Sequence, residues 1–253
     1  MDGDSNFHWT SGARTDVGLV RTRNEDAYLA LPGRGLWAVA DGMGGHAYGD
    51  VASGAVVAAL DGVAPPASLA GGVDAVRARL DEVNHDLREE AAARGVPVIG
   101  STVVVLLALG RDLACLWAGD SRIYLCREGR LQQLTRDHSQ LEALKASGAD
   151  LAAATASPNM ITRAVGASDT LELDVATLRA RDGDVFLLCS DGLSNPVDEA
   201  ALAAGLAACA DCSQAAHELV ALALANGGRD NITALVVRLE DRSGDKTVLN
   251  PAV

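Results

Sequence analysis

A layered sandwich, with β-sheets inside and helices outside, is the fold class that this 253-residue sequence predicts. Two kinds of periodicity carry that reading. Short apolar, β-branched runs bounded by Gly or Asp mark strands over 36–40, 102–109, 113–118, 122–126, 185–189 and 232–239. Helices announce themselves differently. Val73, Val76, Leu80, Val83 and Leu87 step by three and four to give one apolar stripe, and 49–60 and 211–225 are Ala-rich. Successive strands are joined mostly by hairpins instead of alternating with helices, which argues against a parallel βαβ fold.

Taken in order, each element has a local reason. The near-continuous apolarity of several strands implies that both of their faces are covered. Residues 122–126, then Glu128-Gly129-Arg130, then 131–134 read as a hairpin turning at Gly129. The helix over 211–225 is stopped by Asn226-Gly227-Gly228. Neither an internal repeat nor a linker divides the chain, so residues 1–240 are expected to form a single domain. The tail 241–253 is polar and should fray. Within the domain, 139–157 is weakly patterned and bounded by Pro158, as a mobile insertion beside a site would be.

Composition narrows the function. A net charge of −13 and a pI near 4.7 disfavour nucleic acid and insertion at an anionic membrane surface. No window of about 18 apolar residues is present, and MDGDSNFHWTSG lacks the basic-then-apolar pattern of a secretory signal. Five scattered cysteines fit reduced thiols in a cytoplasmic protein better than disulfides. Cys209 and Cys212 form a lone C-x-x-C with only His217 nearby, too few ligands for zinc. Asn231-Ile232-Thr233 matches a glycosylation sequon, which has no meaning in the cytoplasm.

The informative feature is where the aspartates stand. Asp41 follows the run 36–40 and precedes Gly42, Gly44 and Gly45; Asp120 follows 113–119; Asp191 follows 185–190 and precedes Gly192. Asp230 stands just before the strand 232–239. Any one of these could be a turn residue or a helix cap. Four at the ends of buried strands form a set that rigid elements can aim at one point. Buried carboxylates need a cation, and oxygen-only donors select hard ions such as Mg²⁺ or Mn²⁺. The Gly42 carbonyl is a further candidate ligand.

Six motifs occur in order: Arg21-Thr22-Arg23-Asn24-Glu25-Asp26, 40–46 (ADGMGGH), Gly100-Ser101-Thr102, Gly119-Asp120-Ser121-Arg122, Ser190-Asp191-Gly192-Leu193 and Asp230-Asn231-Ile232-Thr233. Together they resemble the type 2C metal-dependent (PPM) protein Ser/Thr phosphatases, particularly the compact bacterial members, from about residue 11 to 239. The resemblance implies an α+β fold, a four-layer αββα sandwich of two antiparallel sheets flanked by helices. It also implies two Mn²⁺ or Mg²⁺ ions at one end, with room for a third. In that arrangement Asp41 bridges both ions, Asp191 and Asp230 complete one, and the Gly42 carbonyl helps hold the other. Asp120 corresponds to the third site, Glu25 and Asp26 hold metal-bound waters, and Arg21 grips the substrate phosphate. A variable flap, about 138–165, lies beside the site in such proteins.

The chemistry implied is water-driven hydrolysis of phosphoserine or phosphothreonine, opposing a bacterial Ser/Thr kinase and acting on its targets as a monomer. One position departs from the eukaryotic pattern. A histidine that follows the Asp-Gly there is replaced by Met43, so His46 or a bound water would have to supply the proton to the leaving group. Two other readings stay open: a metal-dependent hydrolase of small phosphate esters, and a binding module that kept the fold with little activity.

Overall fold

Period-two alternation sorts the apolar residues of the central strands onto two faces, and both faces are buried. The computed structural model describes residues 7–43, 48–147, 160–208 and 210–241. One sheet is built from β2 (Asp26–Leu31), β3 (Leu36–Met43), β5 (Val103–Leu109), β6 (Asp112–Ala118) and β9 (Asp174–Arg179), in that spatial order, with the two-residue β4 (Gly100–Ser101) paired to β3. The other runs β1 (Phe7–Asp16), β11 (Ile232–Asp241), β10 (Val185–Cys189), β7 (Arg122–Arg127), β8 (Arg130–Gln133). All of these pairings are antiparallel.

Three apolar layers separate four structural ones. Leu36, Ala38 and Ala40 of β3 face α1 (Gly49–Asp61) and α2 (Leu69–Arg94), packing with Val56, Leu60, Val76 and Leu80. Trp37 and Val39, on the other face, meet Phe186, Leu188, Leu235 and Val237 of the opposite sheet. Behind that second sheet, Leu187, Cys189, Ala234 and Val236 pack on α5 (Glu199–Ala208) and α6 (Cys212–Ala225). This is the αββα sandwich, and it explains why the central strands read as unbroken apolar runs.

Local signals hold the helices in place. Ser68 caps α2, its hydroxyl accepting from Gly71 N at 3.1 Å, and the helix ends on Gly95 in the left-handed region at φ 67°. Asp211 caps α6, accepting from Gln214 N at 2.8 Å. The hairpin turn uses Glu128 (φ 52°) and Gly129 (φ 74°), the two left-handed residues that a tight primed turn requires. Among the described residues, no helix is long and apolar enough to cross a membrane.

Several elements escape the sequence reading, among them β1, β2, β9 and α5. The described parts of the segment 138–165 are tied into the fold. The segment contains α3 (Gln140–Ser147), and its ends are built in, with His138, Ser139, Ala164 and Val165 buried. Ser139 bridges Ile161, and Val165 bridges Ser101. Residues 148–159 of this segment, the tail beyond Asp241, His46 and Cys209 lie outside the described residues. Cys115, Cys126, Cys189 and Cys212 are free and buried.

Candidate metal centre

Strand parity brings the acidic residues together. Residues 37 and 39 of β3 face the space between the sheets, so Asp41 continues on that face beyond the last apolar side chain. Asp26 stands directly opposite Asp41 in the β2–β3 register. From the other sheet, Thr233 shares parity with Leu235 and Val237, and Ser190 follows Cys189 at the end of β10. Both hydroxyls donate to the same Asp26 oxygen, Oδ2, at 2.7 Å each. Asp26 Oδ1 is buried without a hydrogen-bond partner.

Asp41 is fixed through its backbone. Its N–H donates to Thr102 Oγ1 at 3.0 Å, and its carbonyl accepts from Thr102 N at 2.9 Å and Ser101 Oγ at 3.0 Å. Gly100-Ser101-Thr102 therefore acts as a splint for the aspartate. Asp191 opens the short helix α4 (Asp191–Ser194). Gly192 beside it is obligatory, because a Cβ there would lie 1.9 Å from Asn231 O. Gly42 is equally confined, 1.9 Å from Gly49 O by the same construction.

Burial comes first and mutual repulsion second in raising these carboxyls above their ordinary range. Asp41 is pushed well up by burial and then by Asp26, Asp191, Asp120 and Asp230, so all five acidic groups act on one space. Burial pushes Asp26 up to about 7, against the pull of the two hydroxyls, with Asp191 and Asp230 adding to it. Asp120 is pushed up to about 7 by burial and then by Asp191 and Asp137. Asp191 is raised by burial and Asp230, partly relieved by a hydrogen bond with Asp41. Left to themselves, such groups resist ionising; a divalent cation removes the conflict.

The donor set thus fits hard cations: every candidate ligand is an oxygen, and one buried carboxylate oxygen is unsatisfied. Among the described residues, no three acidic, His or Cys side chains are drawn into a closed cluster able to grip an ion unaided. Backbone carbonyls, water and phosphate oxygens would have to complete the shell. Positive charge enters through Arg21, whose NH2 donates to Asp230 Oδ2 at 2.8 Å. Asp230 Oδ1 accepts from Asn231 N at 2.9 Å. The structure therefore brings Arg21, Asp26, Asp41, Asp120, Asp191 and Asp230 to one end of the inter-sheet space. Glu25 joins them at the rim, beside Gly49: a Cβ on Gly49 would lie 2.7 Å from Glu25 Cδ.

Sequence reasoning gave no role to several residues that hold the site together, Asn231, Ser190 and Thr233 among them. Asn231, set aside as a meaningless sequon, is the bracket of the site. Its Oδ1 accepts from Glu25 N at 2.8 Å, and its Nδ2 donates to Val17 O at 2.9 Å and Arg23 O at 2.8 Å. The loop carrying Arg21 and Glu25 is tied through it to Asp230. Its position directly after a candidate ligand was the available signal. A second chain runs from Asn24 Nδ2 to Thr15 Oγ1 (2.8 Å), from Thr15 to Thr233 (2.8 Å) and on to Asp26.

Comparison with known proteins agrees with this geometry. A protein phosphatase 2C family model matches residues 20–226. The Ser/Thr protein phosphatase PstP of Mycobacterium tuberculosis is 39% identical over 236 residues, 90% of this chain, and the chain spans 45% of that relative's length. Protein phosphatase PhpP of Streptococcus pneumoniae is 35% identical over 244 residues, 91% of this chain and 98% of its own. Among solved structures, PppA of Pseudomonas aeruginosa, described as a key regulatory component of T6SS, superposes with a TM-score of 0.86 at 45% identity, covering 92% of this chain and all (100%) of that one. The PstP catalytic domain in complex with two manganese ions gives 0.83 at 35% identity, covering 93% and 100%. With the layering, the acidic end and the matched length all in accord, the chain belongs to the protein phosphatase 2C family.

Proposed function

We propose that this protein is a metal-dependent phosphatase that hydrolyses phosphoserine and phosphothreonine in proteins phosphorylated by a bacterial Ser/Thr kinase. The observation that carries the reading is the convergence of Asp41, Asp191 and Asp230 with Arg21 at one end of the inter-sheet space. The relatives named as Ser/Thr protein phosphatases, and the PstP domain with two manganese ions, support it. A cytoplasmic, monomeric enzyme is the form this reading takes.

Asp41, Asp191, Asp230 and the Gly42 carbonyl would hold two divalent cations, Mn²⁺ or Mg²⁺, with Asp120 serving a third. Such ions supply the charge that acidifies water and neutralises phosphoryl oxygens. The chain's own residues do the rest. Arg21 presents a planar fork to the phosphate, orienting phosphorus for in-line attack. Asp26, held by Ser190 and Thr233, and Glu25 beside it accept hydrogen bonds from site waters and order them. No side chain serves as a covalent nucleophile. Met43 follows Asp41-Gly42 and cannot donate a proton, so His46 or a site water protonates the leaving oxygen.

The test is phosphate release from a phosphothreonine peptide with Mn²⁺, with and without chelator, by the native protein and by Asp41→Asn, Asp191→Asn and Asp230→Asn. Chelator-sensitive release that each substitution abolishes is expected. Turnover confined to nucleotides would replace this reading with a small-ester hydrolase; binding without any turnover would make the protein a recognition module.

A further inference from the structure

Asp120 follows a glycine whose backbone would otherwise be free to swing. Gly119 has φ 114°, and a Cβ there would lie 2.6 Å from Thr102 Cβ, so no other residue fits. Both polar groups of this glycine are taken by one residue from 19 positions away. His138 N donates to Gly119 O at 2.8 Å, and Gly119 N donates to His138 Nδ1 at 3.2 Å. We propose that His138 is a positioning residue for Asp120, clamping the Gly119 backbone from both sides and thereby setting where the Asp120 carboxylate points. The proposal rests on Asp120 being a metal ligand.

The imidazole is built for the task and for little else. It is 8% exposed and lies against Trp117, ring centroids 6.2 Å apart and planes 16° from parallel. Trp117 is itself anchored, its Nε1 donating to Arg136 O at 2.9 Å. Because Nδ1 accepts from Gly119, the ring proton must sit on Nε2, from which it reaches Asp174 Oδ2 at 3.2 Å. Arg163 NH1, 3.4 Å from Nε2, finds no lone pair there and donates to Asp174 Oδ1 at 2.8 Å. One ring thus has a fixed tautomer, a fixed plane and a fixed acceptor. A histidine that merely filled core space would not need its acceptor nitrogen aimed at the peptide next to a candidate ligand.

Three substitutions separate positioning from packing. Asn places its carboxamide oxygen near where Nδ1 stands, so His138→Asn keeps the Gly119 acceptor and loses Asp174. Gln places its amide near Nε2, so His138→Gln does the reverse. Asp120→Asn reports the site itself. Mn²⁺ binding to substrate-free protein is measured by calorimetry and Mn²⁺ electron paramagnetic resonance, alongside melting temperature. Asp120→Asn and His138→Gln should each weaken the loosest Mn²⁺ site by about tenfold or more with the tighter sites unchanged, and His138→Asn should stay within about twofold of the parent, the range expected when an outer partner of a ligand is lost or kept. His138→Gln with unaltered Mn²⁺ binding, while Asp120→Asn loses it, overturns the positioning role. Asp120→Asn with unaltered binding removes Asp120 as a ligand, and the proposal with it. Equal losses in His138→Asn and His138→Gln would reduce the histidine to packing.

Discussion

Asp26 and Asp41 stand opposite each other across β2 and β3, yet Asp26 is held by hydroxyls of the other sheet, Ser190 and Thr233. The two sheets are therefore stitched by polar bonds at the acidic end and by apolar contact elsewhere. Asp26→Ala would leave both hydroxyls buried beside a void, at a cost of about 2–4 kcal/mol in urea unfolding. Asp26→Asn retains an acceptor oxygen and should lose markedly less. Equal losses in the two variants would mean that the hydroxyls find other partners.

The raised carboxyls make stability depend on pH with a definite sign. Asp26 and Asp120 titrate near 7 in the folded chain, against about 3.9 when unfolded. Between those values the folded state holds more protons, so stability of metal-stripped protein falls as pH rises from about 4 to about 7, then levels off. Chelated protein should melt several degrees higher at pH 5.5 than at pH 7.5, and saturating Mn²⁺ should cancel or reverse that order. A chelated protein that melts higher at pH 7.5 would contradict the burial of these groups.

Asn231 makes three hydrogen bonds that fasten the loop bearing Arg21 and Glu25. Asn231→Ala should destabilise the fold by about 2–4 kcal/mol, since Glu25 N–H and two backbone carbonyls lose their partner. Hydrogen exchange across residues 17–25 should quicken more than in β5 or β10. Uniform quickening would show that the asparagine supports the fold generally and not the loop.

Arg21 is exposed and its bond to Asp230 is a surface ion pair, with side chains 51% and 40% accessible. Such pairs are worth about 0–1 kcal/mol, so Arg21→Ala should barely move the melting temperature. Losing a charge-assisted contact to phosphate costs about 1.5–3 kcal/mol, which raises KM for a phosphopeptide roughly tenfold or more. Arg21→Lys should recover part of the loss. Unchanged KM in Arg21→Ala would remove Arg21 from substrate binding.

The sequence makes the strands of the two sheet centres legible because both of their faces are apolar, as in Val103–Leu109 and Val185–Cys189. It hides the edges. In β1 most residues are half-buried, and β9 alternates weakly, so neither shows a pattern apart from its partners. Asp41, Asp120, Asp191 and Asp230 were visible because charge directly after a buried run is conspicuous. Asn231, Ser190 and Thr233 were not: a hydrogen-bonding role depends on which chain segment the fold brings opposite, and 164 residues separate Ser190 from Asp26. The ends of the flap segment were hidden for a related reason. His138 and Arg163 look like loop residues until the bend after β6 and the start of β9 supply Gly119 and Asp174 as partners.

The three tryptophans are distributed so that the protein carries its own optical reporters. Trp9 and Trp37 lie 5.4 Å apart between the sheets, beside Phe186, whereas Trp117 lies against His138 and leads into the Gly119–Asp120 turn. Emission from the first pair reads the integrity of the inter-sheet layer, and emission from Trp117 reads the ground next to the acidic end. In a Trp9→Phe, Trp37→Phe background a single indole remains, and titrating Mn²⁺ against its fluorescence would follow events at Asp120 without a substrate or a label.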